Sequence, residues 1–196
     1  ALRAELEAFL NESESRALVL LHPADADPQH LRRTCESHGK MLYLRQDFSW
    51  KGVTFVAFSD VRHAVAARRR IIGDDAVEGD ESAPWQAHFS VMLLGLQEVD
   101  MSRLRVRGLP PQTSEVDVQS VFARYGKLRS IQRTFADGNR IGAVDGVGGT
   151  FVVDFFDVQD AQQAASEMAA GSAAAWGPSA TVETVPADRR TQVLSK

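Results

Sequence analysis

Residues 51–58 read KGVTFVAF. The preceding FSWKG (48–52) carries a turn, and VTFVAFS (53–59) alternates apolar side chains with the period of a strand. A period of two puts Lys51, Val53, Phe55 and Ala57 on one face and Thr54, Val56 and Phe58 on the other. Directly after it, DVRHAVAARRRI (60–71) has helical spacing, with Asp60 as cap and Val61, Ala64 and Val65 inward. One strand running straight into one helix sets the unit from which the rest of the chain is read.

Upstream, RALVLLHP (16–23) is an aliphatic run stopped by Pro23, a strand. DPQHLRRTCESHG (27–39) reads as a helix: Asp27 can cap it, Pro28 suits its first position and Gly39 its end. KMLYLRQ (40–46) is a second strand, and WQAHFSVML (85–93) a fourth. The order is β-α-β-β-α-β. It then repeats: SRLRVRGLPP (102–111), SEVDVQSVFARYG (114–126), KLRSIQRTF (127–135), TFVVDFF (150–156), DVQDAQQAASEMAAG (157–171) and SATVETVP (179–186). Both copies have Gly-Lys between the first helix and second strand, at Gly39 and Gly126, and both enter the second helix through Asp-Val. Each repeat is one small domain.

The sequence predicts an N-terminal amphipathic helix over 1–15, a first domain over 16–95, a link over 96–101, a second domain over 102–187 and a tail over 188–196. Leu2, Leu6, Phe9 and Leu10 form the apolar stripe of that first helix, which must dock somewhere because a single helix is marginal alone. The chain starts at Ala1 rather than Met, so it is expected to be a cut or processed piece of something longer.

The 196 residues are 44% hydrophobic and 24% charged, enough to build cores. No apolar run is long enough for a membrane span, and no signal-peptide pattern opens the chain. Cys35 is the sole cysteine, so no internal disulfide forms, which fits a reducing nucleus or cytoplasm. The net charge of −4 is uneven. Residues 1–100 carry 11 basic and 16 acidic side chains, and residues 101–196 carry 11 and 10. A polyanion responds to local basic surface, so this total argues against a nucleic-acid partner without excluding one. The acidic stretches ELEAFLNESE (5–14) and DDAVEGDE (74–81) suit solvated surface.

The doubled β-α-β-β-α-β order, with KGVTFVAF on a third strand, resembles tandem RNA-recognition motifs (RRMs). The likeness runs from Arg16 to Pro186. The segments FSDVRHAVAARR and FFDVQDAQQAA also look like the RRMs of the meiosis-regulating family of fungi and plants. The resemblance implies an α+β fold: two ferredoxin-like domains, each a four-stranded antiparallel sheet with two helices on one face. In that family, single-stranded RNA lies across the open sheet face, its bases stacked on aromatics of the central strands.

The octamer usually carries an aromatic where this chain has Val53, and the partner hexamer LVLLHP (18–23) has Val19 at another aromatic position. Phe55, Tyr43, Lys51 and Arg45 are therefore the first copy's candidates for RNA contact. In the second copy the aligned octamer is GGTFVVDF (148–155), whose outward Gly148, Thr150, Val152 and Asp154 are neither aromatic nor basic. Arg105 stands at the aromatic position of LRVRGL (104–109), with Arg107 beside it and Ser130 and Gln132 completing a polar face. An arginine there can stack on a base and hold phosphate, or pair across the strands with Asp154.

Phe55 itself has two readings. It is a base platform, or part of an apolar patch with Val19, Leu21 and Val53 that the N-terminal stripe Leu2, Leu6 and Phe9, the second copy or another chain covers. The first reading gives a non-catalytic RNA-binding module acting in mRNA regulation together with protein partners. The second gives a protein-interaction or homodimerisation module that has lost RNA binding on its sheets.

No cofactor or metal is implied. His30, Cys35 and His38 do not stack on one helix face, and the loop DGNRIGAVDGVGG (137–149) lacks the carboxylates of a calcium site. ARRRI (67–71) suits the negative end of a helix. No nucleophile–base pair or phosphate-binding lysine loop stands out, so an enzyme is not expected.

Overall fold

The computed structural model describes residues 10–11, 13–72, 85–90, 101–134, 149–170, 176–177 and 179–185. The chain divides into two units, residues 1–99 and 100–196.

The first unit contains β1 (Leu10–Asn11), β2 (Ala17–Leu21), α1 (Pro28–Glu36), β3 (Met41–Arg45), β4 (Val53–Phe58), α2 (Val61–Ile72) and β5 (Gln86–Ser90). Its sheet runs β1-β5-β2-β4-β3, every pair antiparallel. Helix α1 starts where Asp27 accepts hydrogen bonds from the backbone N–H of Gln29 and His30, at 3.0 and 3.2 Å. Pro28, which has no N–H to lose, follows at the first turn. Leu18, Leu20, Val56 and Phe58 pack against Leu31 and Cys35 of α1 and Ala64 and Ala67 of α2. Both helices therefore lie on one face of the sheet. Fully burying side chains such as Leu18 and Phe58 contributes about 1.5–3 kcal/mol each.

The second unit contains β6 (Arg103–Arg107), α3 (Glu115–Phe122), β7 (Leu128–Thr134), β8 (Thr150–Phe155), α4 (Val158–Ala169) and β9 (Thr181–Thr184). Its sheet runs β7-β8-β6-β9, again antiparallel. Ser114 and Asp117 form a reciprocal capping box at the start of α3. Leu104, Val106, Phe151, Val153 and Phe155 pack against Val118 and Phe122 of α3 and Ala161, Ala164 and Met168 of α4. Each unit is a ferredoxin-like β-α-β-β-α-β domain.

The shared Gly-Lys has a packing cause. A Cβ on Gly39 would run into the His63 ring of α2, and one on Gly126 would run into the Asp160 side chain of α4. His63 and Asp160 are equivalent positions of the two repeats, three residues after the shared Asp. In both copies the turn before the second strand lies so close to the second helix that a side chain there would displace its neighbour.

Two expectations need correction. The helix predicted over 1–15 does not extend through Leu10 and Asn11. These pair as a strand with Ser90 and Phe89 on the edge of β5, making the first sheet five-stranded. The open edge of β5 satisfies their backbone groups, and the helical spacing of Leu10 does not decide the matter. Leu2, Leu6 and Phe9 lie outside the described residues, as do the acidic loop 74–81, positions 96–100 of the link and the tail 188–196. Lys51, expected on the strand, instead ends a single 3-10 turn, Ser49–Lys51. Gly52 closes that turn in the left-handed region at φ 74°, and the strand begins at Val53.

Candidate nucleic-acid interface

The register places the first copy's candidates on the sheet face away from the helices. Arg45, Phe55, Val19 and His88 form one row across the sheet, with Tyr43, Ala57 and Ala17 in the next and Val53, Leu21 and Gln86 on the other side. The centre of this face is closed. Val19, Val53 and Phe55 are 0%, 2% and 4% exposed, and they form a cluster of their own with half-buried Leu10, Leu21 and Tyr43. The Phe48 ring meets Phe55 edge-on at 6.4 Å between centroids. A base needs an accessible π-face to stack on, and Phe55 does not present one. Tyr43 points to the same face, and burial pushes its hydroxyl up to about 12 against the opposing effect of the Arg45 charge. Val19, Leu21 and Val53 thus lie together with Phe55, as a packed patch.

Beside this patch the chain exposes a different pair of aromatics. Phe48 is 42% and Trp50 67% exposed, and the Lys51 ammonium lies 5.0 Å from the Trp50 ring. Arg45 pairs with Asp47 at 3.0 Å. The turn holding Trp50 is fixed at its end by Gly52, where a Cβ would strike the His22 carbonyl oxygen. Sequence reasoning passed over Phe48 and Trp50 because FSWKG reads as a turn. The signal was there: two large aromatics on a turn have little core to enter.

The second sheet face is polar. Arg103, Arg105 and Arg107 occupy successive outward positions of β6, opposite Asp154 and Val152 of β8 and Glu183 and Thr181 of β9. Ser130 and Gln132 extend the same rows on β7. The expected pairing of Arg105 with Asp154 does not form. Asp154 is held by Arg103 at 3.5 Å and by the Ser102 hydroxyl at 3.0 Å. Arg105 and Arg107 instead share one oxygen of Glu183, each at 3.1 Å. The Arg105 and Arg107 side chains remain 35% and 52% exposed. Among the described residues of β6, β8 and β9, three guanidinium groups stand against two carboxylates, a positive excess.

Several other chemistry-bearing groups among the described residues serve the fold. Cys35 is buried, and desolvation, helped by the Glu36 charge, pushes its thiol up to about 11. His38 is held below its ordinary value by burial and then by Arg70 and His63. Asp60 accepts hydrogen bonds from the Arg62 backbone and guanidinium at the start of α2. Burial alone would raise its carboxyl, but these bonds outweigh burial and hold it below the usual carboxylate value. In the ARRRI run, Arg68 donates to the Ala87 carbonyl at 3.0 Å and lies over the Phe89 ring. Among the described residues, no three His, Cys, Asp or Glu side chains are grouped so as to hold a metal ion, and no helix is long and apolar enough to cross a membrane.

No family model matches the chain, and no curated protein matches it. Among solved structures it is similar to the C. elegans NONO-1 homodimer, at 18% identity over 87% of this chain with a TM-score of 0.37. The chain spans 62% of the length of that NONO-1 chain. It is also similar to RNA recognition domains 1 and 2 of Sex-lethal from Drosophila melanogaster, at 16% identity over 87% of this chain and 100% of that one, TM-score 0.34. A Sex-lethal protein/RNA complex gives 17% identity, 87% and 99% coverage and a TM-score of 0.34. At such identities the likeness concerns fold alone, and the strand orders of the two sheets give that fold directly: two ferredoxin-like units in one chain.

Proposed function

We propose that this chain is a non-catalytic RNA-binding module that meets single-stranded RNA on the sheet face of its second unit. Arg105 and Arg107, adjacent outward positions of β6, the first half-exposed and the second exposed, carry this reading. A guanidinium stacks on a base and donates to phosphate from the same plane. The flanking Gln132, Ser130 and Thr181 can hydrogen-bond base edges. Phe55 and Tyr43 give up the role of base platforms in this reading. Lys51, over the Trp50 ring, and Arg45, opposite Phe55, remain as a secondary contact at the margin of the first sheet. Such a module would act in mRNA regulation, in the nucleus or cytoplasm, alongside protein partners.

The test is fluorescence anisotropy of a labelled pool of short single-stranded RNAs at low salt. Wild type should bind. The pair R105A/R107A should weaken binding and lower the salt slope by about 0.7 for each phosphate it no longer neutralises. No binding by wild type would refute the reading.

A second reading, a protein-interaction or homodimerisation module built on this fold, is favoured by the exposed Phe48 and Trp50 beside the buried patch of Val19, Val53 and Phe55. It predicts a dimer or a stable complex by light scattering. A monomer with no RNA-independent partner would count against it.

A further inference from the structure

We propose that Glu183 is an internal stand-in for phosphate. Its carboxylate fills the place between Arg105 and Arg107 that a phosphate of single-stranded RNA would take, and so limits how tightly the second sheet binds polyanions. This rests on the RNA reading above and adds a regulating residue to it.

The two carboxylates on this face are held very differently. Asp154 is buried, takes a hydrogen bond from the buried Ser102 hydroxyl and pairs with the half-buried Arg103. It sits on the central strand β8, and removing it would leave the half-buried Arg103 guanidinium without its partner. Glu183 is 49% exposed and sits on the edge strand β9. It engages both arginines through one oxygen, so each guanidinium holds it by a single nitrogen rather than by the two-pronged contact that makes such pairs strong. Exposed ion pairs of this kind contribute little to stability and exchange readily.

A phosphate brings more acceptor oxygens and can meet both forks at once. To do so it must displace the carboxylate, and Glu183 then lies near the phosphate as a like charge. The competition is built into the register: Glu183 stands directly opposite Arg105 and one step diagonally from Arg107. No other residue of β9 could play this part, since Thr181 and Thr184 carry no charge and Val182 packs with the core.

The experiment compares wild type, E183Q, R105A/R107A and the triple variant R105A/R107A/E183Q. The probe is a fluorescein-labelled 12-nucleotide single-stranded RNA of mixed sequence, titrated at two salt concentrations. Circular dichroism melts establish that each variant is folded. Glutamine keeps the size of the side chain and removes its charge. E183Q should bind about three- to tenfold more tightly than wild type, with a steeper salt dependence. The same substitution in the arginine-less background should change nothing.

Equal affinity of E183Q and wild type overturns the proposal, as does a gain that persists without the arginines. If R105A/R107A weakens binding while E183Q has no effect, the stand-in is wrong and the RNA reading survives. If neither wild type nor E183Q binds, both fall. If E183Q alone binds, the RNA reading of wild type falls and only the blocking of the arginine pair by the carboxylate survives.

Discussion

Replacing Phe55 separates a covered sheet face from an open one. Phe55 is 4% exposed and packed among Val19, Val53, Leu10, Leu21, Tyr43 and the Phe48 ring. Phe→Ala in such a site costs about 3–5 kcal/mol, through the transfer energy forgone and the cavity left behind. The lower end applies, because half-exposed Leu21 and Phe48 can move into the space. On an exposed surface the same change stays within about 0.5 kcal/mol. A loss of about 3 kcal/mol corresponds to roughly 12–24 °C in the melting temperature of a domain this size. Urea denaturation and thermal melts followed by far-UV circular dichroism measure it.

Phe55→Leu provides the control if the alanine variant is too unstable. It keeps most of the volume and should cost under about 1.5 kcal/mol, yet it removes the π-face. RNA affinity should be unchanged in F55L, whereas loss of one stacked base costs about 1–3 kcal/mol. An unaltered melt for F55A, or a large affinity loss for F55L, would refute a buried Phe55.

Asp60 should make the stability of the first unit sensitive to acid. Its folded pKa lies below the unfolded value, so its contribution is complete above about pH 4 and is lost as the pH falls through the folded value. Asp60→Asn should lower the urea midpoint at pH 7 and flatten the decline between pH 5 and pH 3, within the range where carboxylates titrate, near about 3.9. Wild-type midpoints that do not move over that range would contradict the pairing with Arg62. Cys35, with its thiol near 11, should react slowly with a thiol reagent at pH 8 and at the rate of a free thiol once urea unfolds the chain. Equal rates in both states would place the sulfur outside the core.

The elements were legible because local chemistry and periodicity agree. Asp27, Pro28 and Ser114 announce helix starts, and alternation in VTFVAF assigns each side chain to a face. The repeat itself rests on Gly39 and Gly126, and the contacts with His63 and Asp160 explain why those positions match. What escaped has a common cause in partners distant along the chain. Alternation puts Phe55 on a face but does not say that Leu10 and Phe48 pack against it. The spacing of Leu10 suits a helix, and only the open edge of β5 makes it a strand. The choice of Glu183 over Asp154 by Arg105 depends on the register of β9, 78 residues away. Lys51 left the strand because Gly52 turns left-handed just before Val53, and its ammonium lies over the Trp50 ring instead.

Backbone amide chemical-shift mapping during titration with a short single-stranded RNA addresses the central claim most directly. The account predicts changes concentrated at Arg105, Arg107, Val152 and Glu183, with Val19, Val53 and Phe55 unmoved. Changes centred on Phe55, Val19 and Tyr43 would contradict it.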